Sequence, residues 1–314
     1  MSALPRALPH FLAAGEALTD LLTAGAGAWH SQPGGSTWNV ARAMARLGVA
    51  SAFAGAVSSD VFGDELVAAS AAAGLDSRFL QQVPRAPLLA IVHALHPPRY
   101  FFIGENSADL HFNAGQLPEG WQGAAQWVHF GGISLAREPL AGKLRSLAER
   151  LKAQGVRISY DPNFRSLMDQ RYDATLRHMA GLADVIKVSE EDLCGLFRHA
   201  DAGQAFQQLR EMNPGAAYLY TLGERGARLH TPEGYWEAAA PSITVADTVG
   251  AGDASIAGLL FSLIQRPAGD GGAHLRFAVG AGAAACLAPG ATPPALATVD
   301  QLAATVACVQ RLRT

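Results

Sequence analysis

Cysteine is scarce in this 314-residue chain: Cys194, Cys286 and Cys308 are the only three, and they lie far apart. That count and spacing exclude a disulfide framework and a Cys/His zinc pattern, and the ten histidines show no metal-ligand spacing either. Basic charge is not in excess. With a net charge of −3 and a pI near 6.4, no basic face for nucleic acid is expected. The longest apolar runs are rich in Ala and Gly and fall short of a membrane span. The opening Met-Ser-Ala-Leu-Pro-Arg has no charged region followed by an apolar core, so a cytoplasmic protein without a membrane partner is expected. Three catalytic signatures are missing as well. There is no GxxxxGK followed by Ser or Thr and no GxSxG elbow, and Gly250-x-Gly252-x-x-Ser255 lacks the third glycine of a dinucleotide fingerprint.

Hydrophobic residues, at 49%, are ample for a buried core. Apolar runs at 11–14, 52–57, 127–131, 157–161, 184–188 and 217–222 predict strands. Between and after them, amphipathic stretches at 37–47, 60–73, 138–154, 204–212, 254–265 and 275–287 predict helices. This alternation predicts one α/β domain over 1–314, with a mostly parallel sheet covered on both faces. Two segments break the rhythm, at about 17–33 and 87–112. The second reads as two extended runs, 88–95 and 99–103, joined at His96-Pro97-Pro98. Strands without helices between them predict a small sheet over the ligand edge. Pro289 to Pro294 reads as an ordered loop before a last helix.

The most informative stretch is Asp247-Thr-Val-Gly250-Ala251-Gly252-Asp253, set directly before the apolar run 256–264. Such a turn can aim several backbone N–H groups at one point, and the dipole of the following helix favours an anion there. Asp253 stands at the mouth of that anion site and can receive a proton. An anion cradle beside a base suits phosphoryl transfer to a hydroxyl. Gly34-Gly35-Ser-Thr-Trp-Asn39 also precedes a helix, and Asn39 offers a donor and an acceptor that suit a sugar hydroxyl or plain solvent. Asp161-Pro-Asn163-Phe-Arg165 follows a strand, at the edge where open α/β sheets bind ligands. Two readings stay open at Lys187-Val-Ser189-Glu190-Glu191-Asp192: a ligand site, or an N-cap with acids in the first turn. Asp60 likewise fits an N-cap or a sugar-side turn. Thr221-Leu-Gly223-Glu-Arg-Gly226 fits a hairpin turn or a nucleotide edge.

These motifs, in this order from about residue 10 to 295, closely resemble those of the ribokinase-like (PfkB) carbohydrate kinases, and most nearly the fructokinase-like members. Asp247 to Asp253 resembles DTxGAGD, Gly15 to Asp20 GExLxD, Gly34 to Asn39 GGxxxN, Gly55 to Gly63 GxVGxDxxG with Ser58 for a glycine, and Thr221 to Gly226 TxGxxG. Arg99 with its following aromatics and Ser107-Ala-Asp109 resemble the family's β-sheet lid. The resemblance implies Asp253 as catalytic base and the amides about Gly250, Ala251 and Gly252 as anion hole. It implies Asp20, Gly35, Asn39 and Arg165 at the sugar, and Lys187, Ser189, Thr221, Gly223, Gly226 and Gly290 along ATP. Asp192 stands where an acid meets Mg2+ through water, and Asp247 beside a monovalent cation, K+. The implied acceptor is D-fructose, with 2-keto-3-deoxygluconate as alternative because Arg165 suits a carboxylate. A silent sugar or nucleoside sensor is the reading from another class. The lid is the candidate contact for a homodimer.

Overall fold

Phe11, Leu12, Ala13 and Ala14 form a strand buried on both faces in the computed structural model, which describes residues 7–95 and 98–311. Its alternate side chains enter two different apolar clusters, Leu12 and Ala14 on one side and Phe11 and Ala13 on the other. The sheet is therefore covered twice, as a parallel sheet must be.

The strands are β1 (Phe11–Ala14), β2 (Leu18–Gly25), β3 (Ala28–Gly34), β4 (Ser51–Ser58), β5 (Leu80–Val83), β6 (Leu89–Leu95) and β7 (Pro98–Ile103). They continue with β8 (Trp127–Gly131), β9 (Arg157–Asp161), β10 (Val185–Ser189), β11 (Ala217–Thr221), β12 (Ala227–His230), β13 (Tyr235–Ala238) and β14 (Cys308–Arg311). Ten of these build one sheet in the order β14-β13-β12-β11-β10-β9-β8-β1-β4-β5. From β11 to β5 every pairing is parallel, while β12, β13 and β14 extend the edge in antiparallel fashion. Helices Ser36–Arg46, Ala251–Gln265 and Gly271–Ala285 cover one face. Leu140–Ala153, Asp173–Leu182, Glu190–Phe197 and Ala202–Met212 cover the other. All six helices expected from periodicity are present, with ends displaced by up to four residues. Asp60 lies outside its helix as the N-cap, accepting from the amides of Phe62 and Gly63. Ser58 donates to the same Asp60 carboxylate at 2.6 Å, so the serine is absorbed by the cap.

The two segments that break the rhythm pair with each other. A separate sheet runs β3-β2-β6-β7, with β2 and β6 parallel and the outer pairs antiparallel. His96 and Pro97 of the expected turn lie outside the described residues. The register gives the small sheet two distinct faces. Asp20, Gln32, Ala90 and Phe102 are mutual partners and share one face with Tyr100. Phe101, Ile103 and Trp29 lie on the opposite face and are exposed.

Both roots of this sheet are tied to the turn after β8. Buried Glu16, before β2, accepts from the backbone amide and the hydroxyl of Ser134. Asp109, after β7, pairs with Arg137 at 2.5 Å, and the same guanidinium reaches the Gly104 carbonyl and the Ser107 hydroxyl. Ser107-Ala-Asp109 is thus a clamp at the base of the small sheet. Burial, with a smaller push from Asp109, raises the Glu16 pKa to about 7 against the opposing Ser134 bonds.

Candidate active site

The carboxyl ends of β9, β10 and β11 lie side by side, the N-terminus of the helix Ala251–Gln265 sits next to Lys187 of β10, and Arg165, after β9, reaches Tyr100 on the inner face of the small sheet. Gly250 is what lets the helix start there. It sits at φ +79°, a conformation that costs a side chain-bearing residue energy. A Cβ on it would also lie 2.9 Å from Ala291 Cα. The left-handed turn therefore falls at Gly250, whereas Gly252 is already helical. The Ala251 amide donates to the Thr248 carbonyl at 3.2 Å. Among the described residues the amides of Gly252 and Asp253 have no backbone acceptor, so two donors, and not the expected three, are left at the helix start.

Asp253 is held by the helix that follows Gly35. Ser36 Oγ donates to its Oδ1 at 2.7 Å and Asn39 Nδ2 to its Oδ2 at 2.9 Å. Residues three apart share a helix face, so the Ser36/Asn39 spacing aims both at one carboxylate. Among the described residues Asn39 Oδ1 is buried without a partner, which leaves its acceptor capacity unused. Gly35 permits the close crossing, since a Cβ there would lie 2.7 Å from the Glu16 carbonyl oxygen. Burial raises the Asp253 pKa above the ordinary aspartate value. Ser36, Asn39, Lys187 and Arg165 oppose that shift by favouring the carboxylate. A helix start alone predicts a readily ionised group, and desolvation overrides it.

Lys187 is buried at the floor of the site. Its Nζ lies 3.1 Å from Asp161 Oδ2 and 3.5 Å from Asp192 Oδ2. Burial lowers the Lys187 pKa, but Asp161, Asp192 and Asp253 outweigh it and the ammonium stays charged. Burial drives Asp161 up to about 7 despite Lys187, because Asp192 and Asp253 also crowd it. A Cβ on Gly252 would sit 3.2 Å from Lys187 Nζ, which places the ammonium directly under the helix start.

Asp192 is more enclosed than its expected magnesium role requires. It completes a capping box with Ser189, accepting that residue's amide at 2.8 Å while its own amide donates to Ser189 Oγ at 3.0 Å. Its other oxygen accepts the Phe164 amide at 2.8 Å. With Lys187 added, its pKa is held low in spite of burial. Glu190 is taken by Arg225 on the surface, while Glu191 is exposed and close enough to Tyr100 to perturb it. Among the described residues, no group of three His, Cys, Asp or Glu side chains could hold a metal ion by itself.

Arg165 donates to the Asn163 side chain at 2.8 Å and to the Phe164 carbonyl at 2.7 Å, and stacks 5.8 Å above the Tyr100 ring. Among the described residues it has no carboxylate at ion-pair distance, so the structural ion pair that an arginine here could form is not made. Asp20 faces it from the small sheet. Burial raises the Asp20 pKa to about 6, with Arg165 pulling the other way. Asp247 ties two loops together, accepting the Val249 amide at 3.1 Å and the Gly290 amide at 2.8 Å. Those bonds keep its pKa low although burial opposes them. Thr221 lies beside Ser189 in register and donates to the Val188 carbonyl. Gly223 is open to space, whereas Gly226 packs on the Ala238 carbonyl and donates its amide to the Gly223 carbonyl at 3.0 Å.

The family model for pfkB family carbohydrate kinases matches residues 16–298. The chain belongs to the pfkB family. This pfkB chain is 33% identical over 255 residues to a fructokinase of Klebsiella pneumoniae, covering 79% of the chain and 82% of that protein. It is 31% identical over 255 residues to an aminoimidazole riboside kinase of Salmonella typhimurium, covering 79% of each. Among solved structures, a fructokinase of Xylella fastidiosa with bound ATP superposes with a TM-score of 0.85 at 30% identity, covering 95% of this chain and 99% of that one. Among the described residues of this pfkB kinase, no helix is long and apolar enough to cross a membrane.

Sequence reasoning misses Ser36, Asp161's pairing with Lys187, and Glu16 in this pfkB chain. The i, i+3 spacing of Ser36 and Asn39 after two glycines is a signal for the first. The other two rest on contacts between distant segments.

Proposed function

We propose that this pfkB kinase transfers the γ-phosphoryl group of ATP to a terminal hydroxymethyl of D-fructose. The observation that carries the reading is Asp253, fixed by Ser36 and Asn39 next to the two free amides of Gly252 and Asp253. Asp20, Asn39 and Arg165 would orient the sugar beneath the small sheet, which acts as a lid. The acceptor oxygen attacks the γ-phosphorus, the bond to the β,γ-bridging oxygen breaks, and ADP leaves. The hydroxyl proton passes to the Asp253 carboxylate. The Gly252 and Asp253 amides stabilise the charge on the transferring group. Lys187 adds positive charge below the turn.

Magnesium suits this site as a companion of the phosphates, held mainly by phosphate oxygens and water. Glu191 is the carboxylate left free to reach that water, since Asp192 has both oxygens engaged. Bound there, the ion would neutralise phosphate charge. Asp247 and the carbonyls around Gly290 are the proposed surroundings of a monovalent cation. A cytoplasmic location belongs to the same proposal and is read from cell fractionation.

The unpaired Arg165 favours a second acceptor, 2-keto-3-deoxygluconate, whose carboxylate it could bind. ADP release across a panel containing fructose, ketodeoxygluconate, ribose and a riboside separates these readings. Fructose is expected to give the fastest turnover. Arg165→Ala should then cost fructose less than the acid, because charged hydrogen bonds contribute about 1.5–3 kcal/mol. A preference for the riboside would overturn the assignment.

We also propose that the exposed outer face of the small sheet, with Phe101, Ile103 and Trp29, packs on a second copy of the chain. Sedimentation should show a dimer that Phe101→Asp converts to monomer, and a wild-type monomer at micromolar concentration would refute this.

A further inference from the structure

Strand β3 reaches across to the loop that carries Gly290. Gln32 is half-buried, and its amide packs so closely on Gly290 that a Cβ there would lie 2.0 Å from Gln32 Nε2. Gly290 is at φ +62°, so both the space and the conformation demand glycine. From Gly290 the contacts run on to the anion-binding turn. Its amide donates to Asp247, which in turn accepts from Val249, the residue before Gly250. Ala291 packs against Gly250, and its carbonyl accepts from Arg42 at 3.4 Å. In the other direction, Gln32 is the direct register partner of Asp20. Partners across an antiparallel pair project from the same face, so one side of the small sheet presents Asp20 and Gln32 together.

We infer that Gln32 is a positioning residue that couples acceptor binding under the small sheet to the geometry of the Gly290 loop. The inference rests on the proposed placing of the sugar at Asp20 and of nucleotide beside Gly290. An acceptor held by Asp20 fixes β2 and its neighbour β3, which holds Gln32 against Gly290. The nucleotide then meets a loop already in place. The coupling is reciprocal, so nucleotide must tighten acceptor binding by the same factor.

The test is an ADP titration with and without the best acceptor from the panel, on wild type and Gln32→Ala, beside hydrogen exchange of the amides of residues 290–292. In wild type the acceptor should tighten ADP about fivefold or more, the scale of ordinary coupling. In Gln32→Ala that ratio should fall to within about twofold of unity. The loop should exchange faster even without ligand, while the amides of Leu21 and Leu22 keep their protection. An unchanged ratio with unchanged exchange overturns the inference. If no sugar is accepted, the fructokinase reading fails, and exchange still decides Gln32: faster exchange at the loop supports its seating role, and unchanged exchange removes it.

Discussion

Replacing Asp253 by Asn should lower kcat by about 10²-fold or more, the scale usual for loss of a general base. The substitution keeps the size of the side chain, and Ser36 and Asn39 still border it, so the helix start should stand. Nucleotide affinity, which the proposed function assigns to the Gly252 and Asp253 amides, should change little. The acid side of the wild-type pH profile gives a second check. A protonated Asp253 cannot accept the hydroxyl proton, so kcat/KM must fall as pH falls through its pKa. Burial moves that pKa up, which places the fall above the range of a solvated aspartate. A weak base is adequate because the hydroxyl proton leaves late in a loose transition state. Steady-state turnover beside a direct nucleotide titration separates chemistry from binding. Full turnover in Asp253→Asn would place the base elsewhere.

Lys187→Met should destabilise the protein by about 3–5 kcal/mol, the cost of leaving buried charges without their partner. Asp161 and Asp192 both lose the only ammonium near them among the described residues. Asp192 keeps its amide donors, whereas among the described residues the Asp161 carboxylate keeps only the Asn163 amide, so Asp161 bears most of the loss. The pH dependence follows in sign. Asp161 has its folded pKa raised from 3.8 to about 7 even with Lys187 present. A group raised on folding takes up a proton between those values, so its contribution is present at low pH and lost as pH rises through the folded pKa. The deficit of Lys187→Met should therefore be smaller at pH 6 than at pH 8, and Asp161→Asn in the same background should recover part of it. Urea unfolding at the two pH values measures this. A deficit below about 1 kcal/mol at pH 8 would mean that the cluster does not hold the strand ends together.

The elements legible in the sequence are those whose signal is local. The run 11–14 is wholly apolar and 127–131 largely so, while 157–161 alternates polar residues with Ile158 and Tyr160, and the three lie side by side in the large sheet. Six helices were likewise readable, but Asp173–Leu182 was not among them although it buries Leu176 and Met179. Strands β12, β13 and β14 were not, because each has four residues and pairs at an edge whose existence depends on the rest of the sheet. The helix Glu190–Phe197 was hidden by the acids in its first turn, which read equally well as a ligand site. In the site, the glycines and Asp253 were legible because their motif specifies a turn. Their partners were not. Ser36 and Asp253 are 217 residues apart, and Glu16 and Ser134 are 118 apart, so only the folded chain brings them together. The same holds for burial, which reverses the simple expectation for Asp253 and fills the coordination capacity of Asp192 with amides and Lys187.

Transfer to a sugar hydroxyl is followed by ³¹P NMR of wild-type enzyme with ATP, Mg2+ and D-fructose. A sugar-phosphate resonance should grow in step with ADP and be absent when fructose is omitted. ADP appearing with inorganic phosphate alone, or no consumption of ATP while fructose binds, would contradict it.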